Sequence, residues 1–173
     1  MKTELVASRR WKTRTITVTG LLGAATVVLA VTPLGFIPVP TAAGHATIMH
    51  VPVIIGGLLE GPLVGTLTGL IFGLYSFLQA ANPLFKDPLI AILPRILIGL
   101  AAYVSYRITE NVAVAAVLGT AVNTIGVMGL AVLRGYIAAP VALGVALTHG
   151  LPEVFVAVAI TLVICKTLKK FRR

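Results

Sequence analysis

Apolar residues run along this chain in long stretches, separated by short clusters of proline, glycine and charged residues. The first run covers residues 15–37 and is ended by Pro33, Gly35, Pro38 and Pro40, after which a polar linker extends from Thr41 to Thr47. A short second run, 47–60, meets the break Glu60-Gly61-Pro62, where Pro62 suits the first position of the next helix. The third run is 62–81, and Asn82-Pro83 through Asp87-Pro88 reads as a loop from its prolines and charges. Runs at 89–107, 112–134 and 140–166 complete the chain. A hydrocarbon core about 30 Å thick takes roughly 20 apolar residues per helix. The pattern therefore predicts an all-α, polytopic membrane protein with six transmembrane helices.

Composition narrows the class. Of 173 residues, 58% are hydrophobic and 11% charged, against roughly 25% charged in a soluble domain. A water-soluble monomer, a soluble enzyme and a disordered segment are all excluded as readings. The net charge of +9 would suggest nucleic acid if it were gathered on one folded face. It is instead held at the two ends. Lys2, Arg9, Arg10, Lys12 and Arg14, opposed by Glu4, make residues 1–14 +4, and Lys166, Lys169, Lys170, Arg172 and Arg173 make the other end +5. Between them, Lys86, Arg95, Arg107 and Arg134 balance Glu60, Asp87, Glu110 and Glu153. No nucleic-acid partner is expected.

Short basic segments beside membrane spans stay in the cytoplasm, so both termini are expected inside, in agreement with an even span count. The expected organisation is a basic tail (1–14), one six-helix transmembrane domain (15–166) and a second basic tail (167–173). Loops 60–62 and 107–111 then lie inside, and 38–47, 82–88 and 134–140 outside, with Arg134 a mild exception. Ser8-Arg9-Arg10-Trp11-Lys12 has the look of a twin-arginine export signal, and Ala42-Ala43-Gly44 of a cleavage region. The apolar run between them is longer than a signal core, so it is expected to remain as the first span. Cys165, the single cysteine, reads as a packing residue.

Gly57, Gly61, Gly65, Gly69 and Gly73 recur at every fourth position, a stripe that permits very close helix approach and reads as tight internal packing. Gly20 and Ala24 make a smaller face of the same kind on the first helix. Polar residues within the apolar runs carry the functional signal, because they are costly there and usually face a bundle interior or a watery cavity. Arg95 follows Pro94 two turns into the fourth run, Asn123 sits midway along the fifth, and His149 and Glu153 share a face of the sixth with Pro152 between them. Tyr75 and Gln79 lie on the outer half of the third run, Asn82 just beyond it, and His50 near the outer start of the second. Topology gathers most of them in the outer half of the bilayer, which points to an outward-facing pocket for a small polar molecule. The alternative is a structural ion pair between Arg95 and Glu153, with Asn123 and His149 satisfied by helix–helix hydrogen bonds. An unpaired Arg95 would be the natural clamp for a carboxylate; spacing alone leaves both open. No catalytic motif and no nucleotide-binding loop is present, and His45 and His50 are a poor metal pair. No metal site and no cofactor are expected.

The stretch from Ala46 through Met49-His50-Val51-Pro52 to Glu60-Gly61-Pro62, the glycines at 65, 69 and 73, and Pro94-Arg95-Ile-Leu-Ile-Gly-Leu100 resemble one family. They are similar to the substrate-binding S components of energy-coupling factor (ECF) vitamin transporters, over most of residues 15–166. The resemblance implies a six-helix vitamin binder in a bacterial cytoplasmic membrane, working with a transmembrane coupling subunit and two ATPase subunits. It implies a site near the outer surface, gated by segments 38–50 and 80–88, with small residues of the first helix contacting the coupling subunit. Gly20 and Ala24 stand there in place of the family's alanine pair. The His-x-Pro and Pro-Arg pattern is closest to the pantothenate/hydroxymethylpyrimidine/folate-like branch, and pantothenate would suit Arg95. A stand-alone proton-coupled secondary transporter using Glu153 and His149 is the competing reading.

Overall fold

The computed structural model describes residues 2–39, 45–80 and 82–171, with side chains described from 13 to 167 of these. Among these residues seven α-helices form the body: α1 (Lys2–Val31), α2 (Val51–Glu60), α3 (Pro62–Leu78), α4 (Pro88–Thr109), α5 (Val112–Leu133), α6 (Ala139–Thr148) and α7 (Gly150–Phe171). Among the described residues four segments are long and apolar enough to cross a membrane: Thr13–Val31, Pro88–Thr109, Val112–Leu133 and Ala139–Thr167, the last containing the α6–α7 junction. The helices α2 and α3 are shorter.

The helix boundaries follow local chemistry. Asp87 caps α4 by accepting the Leu89 N–H at 2.9 Å, with Pro88 at the first helical position where a missing N–H costs nothing. Asn111 does the same for α5, accepting from Ala113 and Val114. Gly61 joins α2 to α3 at φ +100°, a backbone region that side-chain-bearing residues avoid.

Three expectations need correcting. The first helix extends back into the basic segment at 1–14 and stops at Val31, two residues before Pro33. The second run is not helical from 47: Phe36–Pro38 (β1) and His45–Thr47 (β2) form an antiparallel hairpin pairing Phe36 with Thr47 and Pro38 with His45, and α2 begins only at Val51. The single helix expected over 140–166 is broken at His149, three residues before Pro152, which has no N–H to offer the Thr148 carbonyl. Ala42-Ala43-Gly44 lies outside the described residues, as does part of the 38–50 gate.

Apolar all round, α2 is buried from Val51 to Leu58. Around it pack α1, α3, α4, α5 and α7. The glycine stripe does internal work. A Cβ on Gly57 would lie 2.3 Å from the Gly99 carbonyl oxygen, one on Gly69 2.1 Å from that of Arg95, and one on Gly73 2.8 Å from Ile92 Cα. Backbones of α2, α3 and α4 thus touch directly. Large apolar side chains cover the exterior, Ile16, Ile108, Ile125 and Phe155 among them, as a lipid-facing surface requires. Arg14 pairs with Glu60 at 2.7 Å, tying α1 to the α2–α3 turn. Arg134 pairs with Asp87 at 2.8 Å, tying the end of α5 to the start of α4.

Candidate substrate site

A cavity of about 290 Å³ opens among α3, α4, α5, the α6–α7 junction and the hairpin. It falls at the lower end of the range of about 300–1,000 Å³ usual for small-molecule pockets. Its chemistry starts with Pro94. A proline inside a helix has no N–H for the carbonyl four residues earlier, here Ile90. Arg95 supplies the missing donor: its Nη1 bonds the Ile90 carbonyl at 2.8 Å. The dipeptide thus repairs its own helix while fixing the guanidinium. Gly126 lets α5 close on this point, since a Cβ there would sit 3.0 Å from Pro94 Cβ.

Two aromatic rings flank the guanidinium, Phe72 at 5.5 Å and Phe85 at 4.8 Å from its central carbon. Phe85 belongs to the tight turn Pro83–Lys86, held by Asn82, whose side-chain oxygen accepts the Leu84 N–H at 3.0 Å. Arg95 is 5% exposed and its Nε has no hydrogen-bond partner. On α5, which packs on both α4 and α7, Asn123 Oδ1 and Thr124 Oγ1 are likewise buried without partners. Buried polar atoms are nearly always satisfied, so three orphans around one cavity mark where a polar ligand belongs.

A second polar group lies on α7. Glu153, 4% exposed, accepts from the backbone N–H of Thr47 at 3.2 Å and from the Thr47 hydroxyl, both through Oε1. His149 Nε2 is 3.2 Å from the same oxygen. Arg95 and Glu153 line one cavity but form no ion pair with each other, so the simplest structural reading of the two charges fails.

Of the residues expected at a site, Arg95, Asn123, His149 and Glu153 line this cavity together. Four do not. His50 is buried beside it with Nε2 3.0 Å from Thr120 Oγ1; Asn82 caps the Phe85 turn; Tyr75 is half-buried and Gln79 exposed. Their place on α3 is taken by Phe72 and Ser76, each three residues earlier and so about a sixth of a turn round the helix. The glycine stripe held the signal, because Gly69, Phe72, Gly73 and Ser76 share the face turned to α4. Thr47, Met49, Phe85, Thr124, Val127, Met128 and Val145 complete the lining; the sequence places Thr47 where the linker meets the second run, within the 38–50 gate, without marking it as a site residue. Gly20 and Ala24 are exposed on α1, with open space over Gly20. Among the described residues no group of three His, Cys, Asp or Glu side chains could hold a metal.

The family model for the substrate-specific component of ECF transporters matches residues 14–165. The chain belongs to this family. It is also 33% identical to the pantothenic acid transporter PanT of Lactococcus lactis subsp. cremoris (strain MG1363), over 73% of this chain and 79% of that one. A solved structure of the S component of a bacterial ECF transporter shares the fold at 19% identity, with a TM-score of 0.71 over 94% of this chain and 99% of that one. As an ECF S component the chain is a transporter subunit of a membrane family, not a member of an enzyme family.

Proposed function

We propose that this S component captures pantothenate, or a closely similar carboxylate-bearing vitamin, from outside a bacterial cytoplasmic membrane. Delivery inward then depends on a transmembrane coupling subunit and two ATPase subunits. In this reading residues 15–166 span the bilayer six times, with the 1–14 and 167–173 tails inside and the cavity toward the outer face. The exposed Gly20–Ala24 face of α1 is offered to the coupling subunit. One observation carries the reading: a buried arginine, already fixed by the Ile90 carbonyl and two rings, keeps a free Nε beside a cavity and, among the described residues, has no acid within ion-pairing distance. A carboxylate supplies the missing charge and acceptors. The likeness to PanT favours pantothenate among such ligands.

Titration of pantothenate into the purified, detergent-solubilised chain tests this. Wild type should bind, and Arg95→Ala, with its helical circular dichroism retained, should lose on the order of a hundredfold in affinity or more. Unchanged affinity in the variant removes the clamp. Proteoliposomes holding this chain alone should bind without concentrating the vitamin. Concentrative uptake driven by a proton gradient would instead favour a secondary transporter working through His149 and Glu153.

A further inference from the structure

The cavity has two chemically distinct sides, and the second goes unused by a carboxylate bound at Arg95. Glu153 is buried, and its three protein contacts, the Thr47 N–H, the Thr47 hydroxyl and His149 Nε2, all converge on Oε1. Oε2 has none. A carboxylate accepts only, so a second ligand carboxylate would be repelled here and an apolar ligand end would strand Oε2 without water. What fits is a donor. A hydroxyl brings one O–H to one free oxygen, whereas an ammonium brings three N–H groups that all need acceptors. Beside Glu153, the lining residues Thr47, Val145 and His149 add no further carboxylate, and the unpartnered acceptors Asn123 Oδ1 and Thr124 Oγ1 belong to α5.

Resting on the pantothenate reading, we infer that Glu153 is the specificity-determining residue of the site. It accepts a hydrogen bond from a ligand hydroxyl through Oε2 and sets the ligand's polarity, carboxylate to Arg95 and hydroxyl-bearing end to Glu153. Thr47 and His149 act as positioning residues, holding Oε1 so that Oε2 is left for the ligand. The site then selects a hydroxy acid over a simple acid of equal size. It does so because loss of the ligand hydroxyl leaves a buried charged acceptor unpaired.

Isothermal titration with pantothenate and with its two mono-deoxy analogues, each lacking one hydroxyl, tests the assignment. Wild type should bind one deoxy analogue about 10- to 100-fold more weakly than pantothenate. In Glu153→Gln that ratio should fall to about threefold or less, while the loss caused by Arg95→Ala stays the same in both backgrounds. A purely structural role for Glu153 would weaken all three ligands together and leave the ratio intact, which overturns the inference. So would tighter wild-type binding of an analogue carrying an ammonium in place of the hydroxyl. If Glu153→Gln does not fold, Glu153→Asp, which withdraws the carboxylate by one methylene, must show the same collapse. Wild type that binds pantothenate without discriminating its deoxy analogues overturns this inference alone. Wild type that binds no pantothenate overturns it together with the proposed function.

Discussion

The two walls of the cavity are built by different means. The wall carrying Arg95 is formed by α3 and α4 and backed by α2, the three backbones touching through Gly57, Gly65, Gly69, Gly73 and Gly99 with no room for a methyl group. The opposite wall, from the hairpin, α6 and α7, is held by side-chain hydrogen bonds to Glu153. Its α6 buries Ala142 alone, and a Cβ on Gly144 would meet nothing. Close-packed backbones have few alternative arrangements, whereas a short exposed helix anchored by a few polar contacts can open at low cost. The charge that must be preorganised for a ligand thus sits on the unyielding side, and the hydrogen bonds that can be exchanged sit on the other.

Adding one methyl group to each wall tests that contrast most severely. In Gly99→Ala the new Cβ would lie 2.3 Å from the Gly65 carbonyl carbon, a backbone atom that cannot swing aside. Overpacking of this kind costs about 1–3 kcal/mol and sometimes more, so thermal unfolding in detergent should show a large drop in Tm or loss of folded protein. Gly144→Ala should leave Tm unchanged or raise it, since alanine is favoured over glycine within a helix by roughly 0.5–1 kcal/mol. Equal tolerance at the two positions would remove the distinction between the walls.

A smaller perturbation reaches the rigid wall at its one repaired defect. Pro94→Ala restores the N–H that proline lacks, and this donor competes with Arg95 Nη1 for the Ile90 carbonyl. The guanidinium then loses its anchor while its charge and its position in the chain remain. Pantothenate affinity should fall about tenfold, or about 1.4 kcal/mol, less than in Arg95→Ala, with the helical content kept. Full affinity in Pro94→Ala would mean that the two rings alone are enough to fix the guanidinium.

The same contrast separates what could be read in advance from what could not. The Arg95 wall was legible because its determinants are local: glycines at 57, 65, 69 and 73 permit close helix contact, although Gly61 of the same stripe serves the α2–α3 turn, and an arginine after a proline in an apolar run needs a reason. The Glu153 wall depends on contacts across the chain. Thr47 and Glu153 are 106 residues apart, and nothing in a Gly-His-Ala-Thr linker announces a strand whose hydroxyl seeks that carboxylate. Pro152 was visible as a weakness in the last helix, but whether it bends or breaks the helix depends on packing around His149. On α3 a rotation of about a sixth of a turn was enough to exchange Tyr75 and Gln79 for Phe72 and Ser76.

The smallest effect is expected where the rigid wall meets solvent. Asp87 caps α4 through Oδ1 and receives Arg134 Nε on Oδ2. The Arg134 hydrogen bond holds the Asp87 carboxyl below the usual carboxylate range. A carboxyl so depressed contributes stability that is present above its unfolded value, near 3.9, and is lost as pH falls through the folded one. Asp87→Asn keeps an oxygen for the Leu89 N–H and removes only the charge. Because the Arg134 side chain is 54% exposed, salt and water screen the pair. The variant's Tm should therefore lie at most a few degrees below wild type at pH 7 and low salt, with the gap narrowing in concentrated salt and again below pH 4. A gap that persists under both conditions would assign the contribution to the cap geometry at α4, and with it the placing of Phe85 over Arg95, instead of to the ion pair.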